Sequence, residues 1–161
     1  KFNEWVENVE GKITHIRVAK ENEEEYGRLK KEITSEFLMG QIAKGNEEVA
    51  TIKLCVRLES ILKHKYGYSG DLYTMLDTFF NGPLKQVETY KPWDDEDNNY
   101  NYQMNEYYRQ TELNEIHEKW TSYLSKLRMK RNNLVHAEKS SVNFTTDDLK
   151  QCINIVEEID K

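Results

Sequence analysis

No glycine or proline occurs after Pro92: all seven glycines lie at or before Gly82, and the two prolines are Pro83 and Pro92. These are the residues that most reliably interrupt helices. Residues 93–161 therefore carry no breaker, and a mostly helical second half is expected. In the first half the punctuation is sparse and well placed. Gly45 and Asn46 separate two apolar patterns, and Gly67 and Gly70 separate the second from a third.

The patterns between these breaks have the helical period. From about Asn22 to Lys44, Tyr26, Leu29, Ile33 and Phe37, with Ile42 beyond them, predict one amphipathic helix. Glu47 and Glu48 open a second with the acidic first turn that the helix dipole favours. It runs to about Tyr66 and is apolar around much of its circumference (Ile52, Leu54, Cys55, Val56, Leu58, Ile61, Leu62), so it is expected to be the most buried element. A short third helix follows from Asp71 to about Phe80, and Asn81 to Gln103, with both prolines, reads as a loop or excursion. The longest pattern spans about Asn105 to Ala137, where Leu113, Ile116, Trp120, Tyr123, Leu124, Leu127 and Leu134 form a lengthwise seam. Ser140 to Phe144 form a link. Thr145, with Asp148 three residues on, predicts a capping-box start to a final helix carrying Leu149, Cys152, Ile153, Val156 and Ile159.

The expected fold class is all-α, a bundle of four to five helices in one domain over residues 21–161 with an acidic loop near 92–103. Residues 1–20 form an N-terminal segment of ambiguous pattern: Trp5, Val6 and Val9 fit the start of a short helix, and Ile13, Ile16 and Val18 fit a short extended piece or the tail of a preceding domain. The start at Lys1 rather than Met fits a portion of something longer, with a sensor domain upstream or an antitoxin as partner.

Net charge is -6, which argues against a surface that binds nucleic acid or anionic membrane throughout, since phosphate neutralisation needs clustered Lys and Arg. No apolar run reaches the length of a membrane span, and a cytoplasmic protein is expected. Cys55 and Cys152 sit within apolar patterns and read as reduced, buried thiols. Phosphate loops, nucleophile elbows and paired Cys or His metal motifs are absent from the sequence, so neither cofactor nor metal is expected. His15, His64 and His117 read as surface or partly buried imidazoles.

His136 stands apart through its neighbours, Lys130-Arg131-Asn132-Asn133-Leu134-Val135-His136. Arg131 falls on the stripe of Leu124 and Leu127, where a core residue is expected, so its charge needs a partner or a cleft. Asn132 is four residues before His136, where its amide can orient the imidazole. Arg131 and His136 lie about 140° apart around the axis, flanking a groove. From His117 to Lys139 there are six Lys or Arg against two Glu, a net of +4, so the acidic chain concentrates positive charge here. Lys126, Arg128 and Lys130 are the candidate RNA-binding cations. Glu59 lies between Cys55 and Leu62 on an apolar stripe and is expected to pair with Arg131 or another nearby Arg; Arg57, Lys63 or solvent are the alternatives.

Arg131-Asn132-x-x-x-His136 on a late helix of a small all-α bundle, followed by a short link and a Thr-initiated last helix, resembles the R-x(4-6)-H motif of the HEPN superfamily. The resemblance covers about Asn46 to Lys161. It implies a metal-independent endoribonuclease acting on single-stranded RNA as a homodimer, often in antiviral or toxin systems such as the CRISPR type III accessory ribonucleases. It assigns catalysis to Arg131 and His136 with Asn132; beside it, Glu59 and Asn133 stand as supporting candidates. Alternatives are a non-catalytic HEPN-like module, for dimerisation or nucleotide binding, and a generic helical dimerisation domain of a larger sensor. Tyr100, Tyr102, Tyr107 and Tyr108 invite a base-stacking reading, but Lys91 to Ile116 carry two basic and seven acidic residues, which favours a solvated loop or a partner contact. The run Asp94 to Asp97 lacks the alternating ligands and Gly of an EF-hand.

Overall fold

The computed structural model describes residues 20–89, 99–136 and 142–161. Expectations for residues 1–19, for the acidic run through Asn98 and for the link at Ser140 and Ser141 lie outside these. The described residues form an all-α bundle with no strand among them. In order the helices are α1 (20–32), α2 (Ser35–Ala43), α3 (Glu47–Ser60), α4 (Leu72–Thr89), α5 (Asn99–His117), α6 (Ser125–Val135) and α7 (Thr146–Ile159). A π-helical turn, Ile61–Lys65, extends α3, and a π-helical segment, Glu118–Leu124, joins α5 to α6 as one continuous rod. No described helix is long and apolar enough to cross a membrane.

The single helix expected over 22–44 is two. Thr34 adopts extended backbone and its side chain accepts from the Phe37 N–H at 3.1 Å, so an N-cap breaks the stripe without a glycine or proline. Ile33 and Leu38 flank that cap and are both buried. At the far end of α2, Gly45 takes a φ of 81°. Its N–H reaches the Ile42 carbonyl and that of Asn46 reaches Gln41 at 2.8 Å, the two reverse bonds by which a left-handed residue closes a helix.

The break expected from Asn81 moves downstream. Helix α4 continues through Pro83 to Thr89 because Leu84 and Val87, four and then three residues beyond Phe80, prolong its buried face. Burial of a Leu or Val stabilises by about 1.5–3 kcal/mol each, and the two together match or exceed the roughly 3 kcal/mol that an internal proline costs. Residues 99–103, likewise expected in the excursion, belong to α5.

Helix α3 is the centre of the bundle, packing on α2, α6 and α7. Ala50, Leu54, Cys55 and Leu58 are fully enclosed. They meet Leu38 of α2, Leu124 and Leu127 at the start of α6, and Leu149, Cys152, Ile153 and Val156 of α7 in one core. Burial pushes the Cys55 thiol up to about 12 and raises that of Cys152 further, so both stay protonated. The capping box of α7 forms as its spacing predicts, Thr145 accepting from the Asp148 N–H and Asp148 from the Thr145 N–H at 3.0 Å. The rings of Phe80 and Trp120 stack 5.7 Å apart, joining α4 to the π segment.

One polar cluster sits inside this packing. Arg57 of α3 is only 3% exposed. It donates to Glu157 at 2.5 Å, to Asp160 at 3.1 Å and to the Ile33 carbonyl at the end of α1 at 3.1 Å. Tyr26 donates to the same Asp160, and Lys65 and Lys30 stand at 3.6 and 3.8 Å. Lys65 also donates to the Asp160 carbonyl, and Tyr66 to that of Ile159 at 2.6 Å, so the last carbonyls of α7 are capped from the turn that ends α3. Hydrogen bonding from Arg57 holds the Glu157 carboxyl below its ordinary range. Burial alone would raise Asp160, but its bonds from Tyr26 and Arg57 and the nearby Lys30 outweigh that and keep it low.

Candidate functional site

Helix α6 starts without a cap of its own because the π segment feeds directly into it. A π turn holds more residues than an α turn, so it sets the rotational phase with which the following residues meet the core. With that phase, Leu124 and Leu127 are fully buried. Arg131, seven and four residues on, follows them toward α3.

There it meets Glu59. Arg131 Nη1 donates to Glu59 Oε1 at 2.5 Å, the two side chains being 22% and 30% exposed. The pairing is the one expected of a carboxylate on an apolar stripe. Arg131 also turns back on its own neighbour, Nη2 and Nε donating to Asn132 Oδ1 at 3.0 and 3.3 Å. Three N–H groups of the guanidinium are thus engaged. Of its five, one on each terminal nitrogen remains for a ligand.

The bond to Asn132 corrects one expectation. The amide was to orient His136, but its oxygen is taken by a charged donor, which binds about twice as strongly as a neutral one. Only the backbone links the two residues, the His136 N–H donating to the Asn132 carbonyl at 3.0 Å. His136 is the C-cap of α6 and exposed, and its ring makes no hydrogen bond or ion pair with the described residues. Helical geometry carries it about 7.5 Å along and 140° around from Arg131. Asn133 is half-buried, about 200° around α6 from Arg131.

The candidate cations divide between two edges of the helix. Within Ser125–Val135 lie Lys126, Arg128, Lys130 and Arg131 and no carboxylate. Arg128 and Lys130 are about 200° apart around the axis and serve different surroundings. The Arg128 guanidinium lies over the ring of Tyr73, 5.2 Å from its centroid. Its Nε is buried without a hydrogen-bond partner. Lys130 instead lines a cleft of about 390 Å³ with Leu134, Phe144 and the residues that begin α3, Asn46 and Glu47 among them. Lys126 is half-buried.

Sequence reasoning missed two residues at the start of α4 that face the arginines of α6, Asp71 near Arg128 and Arg131 and Tyr73 under Arg128. Asp71 caps α4, accepting from the Thr74 N–H at 2.8 Å. Hydrogen bonds from the Thr74 side chain and backbone hold its carboxyl below the usual range, and Arg128 and Arg131 add to that. Tyr73 is half exposed. The signal for it was present: it lies in the first turn of α4, off the stripe of Leu72, Met75 and Leu76. Among the described residues, no group of three or more His, Cys, Asp or Glu is gathered as a metal site would require. The chain shows no significant match to known protein families, to curated proteins or to solved structures.

Proposed function

We propose that the chain is a HEPN-type endoribonuclease domain that cleaves single-stranded RNA without a metal, two copies contributing Arg131 and His136 to one groove. The observation that carries this reading is the arrangement on α6. An arginine fixed by Glu59 and Asn132 keeps two N–H groups available, and an imidazole with no side-chain partner among the described residues follows five residues later at the exposed end of the same cationic helix.

The chemistry fits those groups. The ribose 2′-oxygen attacks the adjacent phosphorus, the O2′–P bond forms and the P–O5′ bond breaks, leaving a 2′,3′-cyclic phosphate and a 5′-hydroxyl. One proton leaves O2′ and one reaches O5′, so protons balance. His136, exposed at the end of α6, moves a proton at one of these oxygens. Arg131 stabilises the charge that grows on the non-bridging oxygens. Glu59 acts through Arg131 as a positioning residue, and Asn132 fixes the plane of the fork. Lys126, Arg128 and Lys130 supply the field that draws a polyanion. A cytoplasmic defence or toxin setting, under an upstream sensor or an antitoxin, belongs to the same proposal.

The test is incubation of labelled single-stranded RNA in EDTA with the parent protein and with His136→Ala. General acid–base catalysis contributes about 10²- to 10⁴-fold, so the variant should lose cleavage by at least a hundredfold with its fold intact. Undiminished cleavage would remove His136 from the reaction.

A specific observation favours a second reading. Arg131 is already matched by Glu59, so the motif can serve as a structural tie in a non-catalytic dimerisation or nucleotide-binding module. That reading expects no cleavage by the parent protein and a melting temperature that responds to Arg131 and not to His136.

A further inference from the structure

We propose that Tyr73 and Arg128 form a platform on which an unpaired RNA base stacks beside the Arg131 groove. This deepens the ribonuclease reading and rests on it.

Three observations converge on this patch. Tyr73 is 50% exposed, in the first turn of α4 and off the buried stripe of Leu72, Met75 and Leu76. Half of the residue is thus open to solvent. Second, Arg128 lies across that ring at 5.2 Å and makes no ion pair with a described carboxylate, its Nε being buried and unpartnered. Its place is set by the ring, and the nearby Asp71 carboxylate feels its charge without closing an ion pair with it as Glu59 does with Arg131. Third, Arg128 and Arg131 are three residues apart on α6, hence neighbours on its surface, and both act on the Asp71 carboxyl at the start of α4. The platform and the Arg131 fork thus border the same end of α4.

An exposed ring held beside a guanidinium that closes no ion pair with a described carboxylate is the pairing by which single-stranded nucleic acid is held. Bases stack on aromatic faces or guanidinium planes while the cation meets the backbone phosphate. Duplex RNA keeps its bases stacked internally and gains nothing from such a platform. Selectivity for single strands therefore follows from Tyr73, and tolerance of sequence follows too, since every base offers a π face.

The experiment measures binding by fluorescence anisotropy in EDTA, in the His136→Ala protein. The probes are an end-labelled single-stranded oligoribonucleotide and the same strand annealed to its complement. Tyr73→Ala should weaken single-strand binding by roughly five- to a hundredfold with the salt dependence unchanged. Tyr73→Trp should restore binding and so report on the ring rather than on folding. Arg128→Ala should weaken binding and lower the salt slope by about one. The proposal is overturned if Tyr73→Ala binds RNA as its parent does while remaining folded, or if single and double strands bind alike. It is also overturned if the variant loses only self-association, which would assign the patch to contact between copies. Retained cleavage in a Tyr73→Ala, His136-intact protein with unchanged KM sinks the platform and leaves the ribonuclease reading standing. A parent protein that neither binds nor cuts RNA sinks both.

Discussion

Two arginines reach the central helix or leave from it, and they meet opposite fates. Arg57, on α3, is enclosed by Glu157, Asp160 and the Ile33 carbonyl and is 3% exposed. Arg131, on α6, reaches Glu59 from the rim and is 22% exposed. The first closes a three-way junction of α1, α3 and α7. The second leaves part of its fork toward solvent. A guanidinium enclosed by the core holds a fold together, and one fixed at the rim by Glu59 and Asn132 is oriented while still able to bind.

The sharpest way to break the comparison is Arg57→Ala, which takes the guanidinium from the buried Asp160 carboxylate and from the partly exposed Glu157. Removing one partner of a buried pair typically destabilises by about 3–5 kcal/mol, and chemical denaturation should show a loss of that size. Tyr26→Phe removes one donor to Asp160 and should cost about 1.5–3 kcal/mol, the range for a hydrogen bond to a charged group. Arg131→Ala should cost about 1–2 kcal/mol, because a pair 22% and 30% exposed lies between an exposed and an enclosed one, yet abolish RNA cleavage. If Arg131→Ala instead unfolds the protein as Arg57→Ala does, the two sites are the same kind of object and the structural reading of the motif gains.

Acid and alkali separate the sites more gently. Glu157 and Asp160 have carboxyls held below their ordinary values in the fold. Their contribution is complete above the usual carboxylate range, near pH 4, and is lost as pH falls through their lowered values. Stability in acid should therefore fall less steeply in Arg57→Ala than in the parent. Tyr26 is shifted the other way, from 10 to about 12, by burial first and then by its bond to Asp160. Its contribution is present below pH 10 and is lost as pH climbs through about 12, which absorbance titration of tyrosinate in the parent and in Tyr26→Phe would resolve.

Much of this was legible along the chain because its causes are local. The capping box at Thr145, the end of α2 at Gly45 and the apolar circumference of α3 each depend on residues within a few positions of one another. The extension of α4 was legible as well, in Leu84 and Val87, but Pro83 was given more weight than two buried side chains. The break at Thr34 was hidden because an N-cap threonine looks like any polar residue within a stripe. In the candidate site, Glu59 and Arg131 each announced themselves by standing where a core residue was expected, and they proved to be partners. Asn132 did not, because competition between its neighbours for one amide oxygen is settled by geometry.

The sequence by itself determined that this chain is helical, where α3 and α7 begin and end, and which helix is innermost. Only the tertiary structure decided which arginine is buried and which remains at the surface. Arg57 and Glu157 are separated by 100 residues, and Glu59 and Arg131 by 72. Helical period fixes the face on which a charge lies, but what stands opposite that face depends on how distant helices pack.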